Sequence, residues 1–70
     1  MNRVNVKSST LKSVGYDGGT KTLEIEFIGG SVYEYSGIER HSYTSLLKAK
    51  SKGKYFSTYI RNGTSKRLYQ

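Results

Sequence analysis

The sequence predicts a small α+β domain: a three-stranded antiparallel meander followed by two helices packed on one of its faces. Three observations predict it. Apolar and polar residues alternate strictly in Thr22-Leu23-Glu24-Ile25-Glu26-Phe27, glycine pairs flank that stretch, and beyond Gly37 the apolar spacing changes to a helical one. Taking the elements in chain order, Val4 and Val6 alternate within Asn2–Lys7, a segment that either extends the first strand or lies on an edge. Leu11–Tyr16 forms the first strand of the meander. Asp17-Gly18-Gly19-Thr20 supplies turn chemistry, since glycine tolerates the positive φ that tight hairpins need. In the central strand Leu23, Ile25 and Phe27 share one face and Glu24 and Glu26 the other, as in a half-buried strand. Gly29-Gly30 turns the chain into Ser31–Ser36. There Tyr33 and Tyr35 are expected on the inward face, because two rings bury more area than Val32 and leave Glu34 in water, the alternative being an exposed platform on which bases stack.

Ile38, Tyr43, Leu46 and Leu47 recur at helical spacing across Glu39–Lys50, with Lys48 and Lys50 outward. Glu39 in the first turn and the lysines in the last suit the helix dipole. A second helix starts after Ser51, whose hydroxyl caps it, and carries Tyr55, Phe56, Tyr59 and Ile60 on one side. Gly63 after Asn62 is a stop signal. Thr64–Gln70 reads as either a short edge strand or a loose tail, so the chain is one domain with its core over about residues 6–63.

Composition narrows the classes. Seventy residues leave no room for a second domain. There is no cysteine, hence no disulfide framework and no Cys-based zinc site, and seven Tyr and two Phe must supply much of a small core. No apolar run reaches the ~18–20 residues of a membrane span and Met1–Lys7 has no signal-peptide core, so a cytoplasmic place is expected. The net charge of +7 is unevenly spread. All five acids, Asp17, Glu24, Glu26, Glu34 and Glu39, lie between residues 17 and 39, a stretch that sums to −4, whereas residues 40–70 carry eight cations and no carboxylate. Such asymmetry marks either a surface that attracts polyanions or a solvated basic face.

Gly15-Tyr16-Asp17, the Leu23/Ile25/Phe27 strand, Tyr33/Tyr35, Leu46-Leu47-Lys48-Ala49, Ser51-Lys52-Gly53-Lys54-Tyr55-Phe56 and Ile60-Arg61, preceded by Ser8-Ser9, together resemble the KTSC domain family. That family is named for the C-terminus of some lysyl-tRNA synthetases and also occurs as stand-alone bacterial and phage proteins. The resemblance runs from about Val6 to Arg61 and departs at Ile38-Glu39, where the family usually opens its first helix with Val-Pro. It implies the fold above and proximity to RNA, and it names no reaction.

Ser51-Lys52-Gly53-Lys54 is the most informative local segment. Unpaired N–H groups at a helix start, a glycine permitting close approach and two lysines would make an anion site, to which Arg61, two turns on, adds a guanidinium if its face agrees. The plainer reading is a capped helix start with solvated lysines and a glycine needed for packing. A broader polyanion face would take in Lys48, Lys50, Lys52, Lys54, Arg61, Lys66 and Arg67, with Tyr55, Tyr59 or Tyr69 available to stack. Catalysis is not expected. His41 has no second His or Cys for a metal, Glu24 and Glu26 are the solvent side of an amphipathic strand, and the serines lack a base and an orienting partner. No cofactor is implied. A membrane surface is disfavoured because the apolar helical faces are needed for the core. The leading expectation is a non-catalytic module that binds RNA or single-stranded nucleic acid through its basic helical half. Its rivals are a protein-interaction module, phage-encoded and docking on a host factor or pairing through a strand edge, and a nucleotide-sized anion binder at Ser51–Lys54.

Overall fold

The computed structural model describes residues 3–61 and the strand at 65–69. Five antiparallel strands follow one another across one sheet: β1 (Val4–Asn5), β2 (Leu11–Asp17), β3 (Thr22–Phe27), β4 (Val32–Tyr35) and β5 (Ser65–Tyr69). Between β4 and β5 the chain forms α1 (Arg40–Lys48), the single turn α2 (Lys52–Tyr55) and a π-helical turn, Phe56–Ile60. The α+β class and the β2-β3-β4 meander are as the alternation predicts. The meander gains an edge strand on each side: β1 pairs Val4 with Val14, and β5 pairs Ser65 with Tyr35 and Lys66 with Glu34. The stop signal at Asn62-Gly63 and the ends of the segment Thr64–Gln70 lie outside the described residues.

The central register explains the core. Ile25 stands opposite Val14 and Tyr33, and Leu23 opposite Tyr16 and Tyr35, so these side chains share the face that the helices cover. Leu11, Val14, Leu23, Ile25, Tyr35, Ile38, Leu46, Phe56 and Ile60 form one buried cluster. Leu11 and Val14 are three residues apart, which in a regular strand would place them on opposite faces. A β-bulge between Leu11 and Ser13 absorbs the odd residue, with Lys12 exposed, and returns both to the core. Tyr35 is buried as expected, Tyr33 only half so. Val32, expected on the open face in water, is buried too, though outside the core cluster.

Turn chemistry corrects one expectation. At the first hairpin positive φ falls on Lys21 (φ 53°) and on neither glycine. Asp17 Oδ1 instead accepts from the Gly19 N–H at 2.9 Å, and the Arg40 guanidinium lies against Gly18, where an added side chain would have only that flexible end to push aside. That guanidinium lies over the Tyr16 ring, 5.4 Å from its centroid, and Tyr16 stacks on Tyr43 at 5.2 Å, tying α1 to β2. At the second hairpin Gly30 does take positive φ (101°).

Helix α1 is shorter than the predicted Glu39–Lys50. Glu39 is its N-cap residue without a side-chain cap, since its carboxylate pairs with Lys21 at 3.1 Å, and Ala49 ends the helix in extended conformation. Lys50 therefore stands between the helices. Of the apolar side chains assigned to the second helix, Phe56 and Ile60 are buried, Tyr55 is half-buried and Tyr59 is 70% exposed. The uniform apolar face fails because the second half of that helix winds with π geometry.

Candidate functional site

The segment joining α1 to α2 folds as its residue types dictate. Ser51, with extended φ and ψ, accepts from the Lys54 N–H at 3.3 Å through its hydroxyl, the cap expected of it. Lys52 Nζ donates to the Ala49 carbonyl at 3.1 Å, an acceptor that the end of α1 leaves open. Gly53 lies against β2: a Cβ at this position would be 2.9 Å from Thr10 Oγ1. The Ser51 hydroxyl thus caps the helix as expected, and Gly53 packs closely on Thr10. Lys52 is half-buried by its role in the connection.

What remains on this side is a cleft of about 470 Å³ lined by Lys50, Ser51, Lys54, Tyr55, Thr58 and Tyr59 together with Ala49. Tyr55 and Tyr59 are four residues apart, and their rings meet at 4.7 Å with a 42° tilt. Tyr59 presents most of its surface to solvent, and Lys50 and Lys54 are exposed at the rim. Lys48 is exposed at the end of α1. Among the described residues the ion pairs are Arg3 with Glu24 and Lys21 with Glu39, so none of Lys48, Lys50, Lys52, Lys54 or Arg61 is neutralised by a carboxylate. The cleft combines π-faces with free cations, which is chemistry for stacking a planar ring beside an anion.

Arg61 does not join this cleft. It lines a second cavity, on the β4 side of the π turn, with Tyr33, Tyr35 and Phe56. Lys66 and Arg67 occupy β5 in register with Glu34 and Tyr33, and their side chains, like that of Tyr69, lie outside the described residues. His41 is exposed on α1. Glu24 pairs with Arg3, and Glu26 accepts from Ser13 Oγ at 2.8 Å. Among the described residues no group of three or more His, Cys, Asp or Glu could hold a metal ion, and no helix is long and apolar enough to cross a membrane. Thr58 and the second-cavity residues other than Arg61 escape a reading by charge, yet Tyr33, Tyr35 and Arg61 are among the family marks, and the fold draws them together.

Comparison with known proteins agrees with this geometry. A family model described as the KTSC domain matches residues 7–63. The chain is 40% identical over 61 residues to an uncharacterized protein of Stutzerimonas stutzeri, covering 87% of this chain and 86% of that protein. It is also 40% identical over 55 residues to a lysine–tRNA ligase of Nostoc punctiforme, covering 79% of this chain but only 10% of the ligase. A crystal structure of a KTSC domain protein from Yersinia pestis superposes with a TM-score of 0.90 at 32% identity, over 96% of both chains.

Proposed function

The chain belongs to the KTSC domain family, and from that premise we propose that it is a small, non-catalytic, cytoplasmic module that binds RNA or single-stranded nucleic acid through its basic helical half. The observation that carries the reading is the exposed ring of Tyr59 against the half-buried Tyr55, in a cleft shared with Lys50 and Lys54 and in a part of the chain without Asp or Glu. Single strands expose bases that can stack on such rings, while the lysines meet the phosphates on either side. A duplex hides its bases and offers the rings nothing. A related segment in a ligase named for tRNA supports the same partner class.

Fluorescence anisotropy with single-stranded RNA, single-stranded DNA and duplex RNA tests it. Single strands are expected to bind more tightly than duplex, and Tyr59→Ala to cost ~1–3 kcal/mol, the worth of one base-stacking contact. Lys50→Gln with Lys54→Gln should weaken every nucleic acid together. If the wild-type protein leaves all three free while amides at Ser51–Tyr55 stay unmoved in chemical-shift mapping, the proposal falls and the protein-interaction reading takes its place.

A further inference from the structure

The second cavity, about 470 Å³, opens between β4 and the π turn. Its apolar wall is a set of interlocked rings: Phe27 meets Tyr33 and Phe56 edge to face at 5.8 and 5.4 Å, and Tyr35 meets Phe56 likewise at 5.3 Å. Thr10, Ser57, Ser65 and Arg61 complete the lining. No carboxylate lines it, and among the described residues Arg61 forms no ion pair.

The π turn is what brings Arg61 there. In an α-helix the residue five positions after Phe56 would lie about 140° round the axis from it. Here the Arg61 N–H donates to the Phe56 carbonyl at 2.9 Å, an i to i+5 bond that sets Arg61 one turn above Phe56, on the same face. π turns of this kind recur at functional sites because they re-aim a side chain at a cost in regularity. Arg61, far in sequence from Tyr33 and Tyr35, comes together with them at this cavity.

We propose that this cavity is a binding site for a nucleoside monophosphate, with the phosphate held by Arg61 and the hydroxyls and the base laid against the ring wall. The guanidinium matches the paired oxygens of a phosphate, and the volume falls in the usual range for small-ligand sites. The choice of phosphate over carboxylate rests on the nucleic-acid reading above, whereas the combination of planar ring and anion rests on the cavity alone. The nucleotide is either free or the phosphorylated end of a strand.

Titration of the full chain with adenosine monophosphate, followed by amide chemical shifts, is the test. Amides of Phe56, Ser57, Arg61 and Ser65 should move, with adenosine and inorganic phosphate each binding on the order of tenfold or more weakly, as expected when one charge-assisted contact or the ring is missing. Arg61→Gln should weaken binding by a similar factor and Arg61→Lys by less, while Lys7→Gln, at an exposed lysine outside both cavities, leaves it unchanged. A tetranucleotide with a terminal 5′ phosphate that binds the same amides more tightly than the mononucleotide identifies a strand end as the source, and equal affinity identifies the free nucleotide. Shifts confined to other residues, or equal affinity of wild type and Arg61→Gln, would overturn the proposal. Loss of it alone leaves single-strand binding at Tyr59 intact, and failure of single-strand binding leaves the mononucleotide titration intact, so the two readings fail separately.

Discussion

Gly37 carries the chain from β4 towards α1 at φ 73°, with nothing within 4 Å of where a Cβ would be. Its requirement is therefore purely one of backbone conformation, and Gly37→Ala should cost about 1–2 kcal/mol, the penalty of an L-residue in the left-handed region, read as a lower urea midpoint with an unchanged slope. Tyr35 shows a different single-residue effect. Burial pushes its phenol above the ordinary value of 10.0, Tyr33 adds to the rise and Arg61 opposes it. Because the folded state favours the protonated form, this group's contribution is full below the unfolded value and is lost as pH climbs through the raised one. Between about pH 8 and about pH 11 the wild type should lose more thermal stability than Tyr35→Phe, with the remaining tyrosines serving as a common background. Equal losses would count against the burial argument. The sequence already pointed Tyr35 inward, since its ring area was needed. It could not assign Gly53, whose lack of a side chain serves contact with Thr10 on another element.

The elements differ in how far local pattern reaches. β3 follows from alternation because it presents a constant face to one layer of helices, whereas in β4 Val32 is buried against that pattern and Tyr33 only half so. In β2 the pattern breaks at Lys12, and only the register with β3 shows that Leu11 and Val14 are core together. The last helical stretch is the clearest contrast. Ser51 was legible as a cap, and its loss in Ser51→Ala should cost about 1 kcal/mol in chemical denaturation. Ile60 is 1% exposed at the far end of the same stretch, and Ile60→Ala should cost ~2–5 kcal/mol. A Ser51→Ala effect as large as that of Ile60→Ala would mean that the hydroxyl does more than cap. The shift from α to π geometry after Tyr55 is invisible to a period of 3.6 residues. At that period Arg61 stands over Lys54, whereas the structure sets it over Phe56.

Across the whole molecule, charge is sorted by layer. Glu24 and Glu34 face each other across β3 and β4 on the side of the sheet away from the helices, with Glu26 on the same strand face and Arg3 paired to Glu24. Like charges in direct register are unfavourable, and Arg3 brings a cation beside Glu24. The cations of α1, α2 and the segment after it lie on the helical elements, and on the proposed function a polyanion would be steered to that side. If about 4–6 phosphates are neutralised there, the logarithm of the affinity for a single strand should fall with the logarithm of salt at a slope of roughly −3 to −4. Glu24→Gln, on the opposite layer, should leave that slope unchanged. A flat dependence would remove the electrostatic basis of the proposed function.

The residues alone determined the β2-β3-β4 meander, the two helical stretches, the Ser51 cap and the separation of acidic from basic segments. These are local properties, set by alternation, spacing and side-chain chemistry within a few positions. The edge strands, the bulge at Lys12, the π turn and the division of basic and aromatic residues between two cavities were decided by tertiary structure. Each depends on which distant backbone a residue meets: β5 needs β4 as its template, and Gly53 needs Thr10 across the layer. Arg61 finds the tyrosines of β4 only because packing of Phe56 and Ile60 against the sheet goes with a wider turn between them.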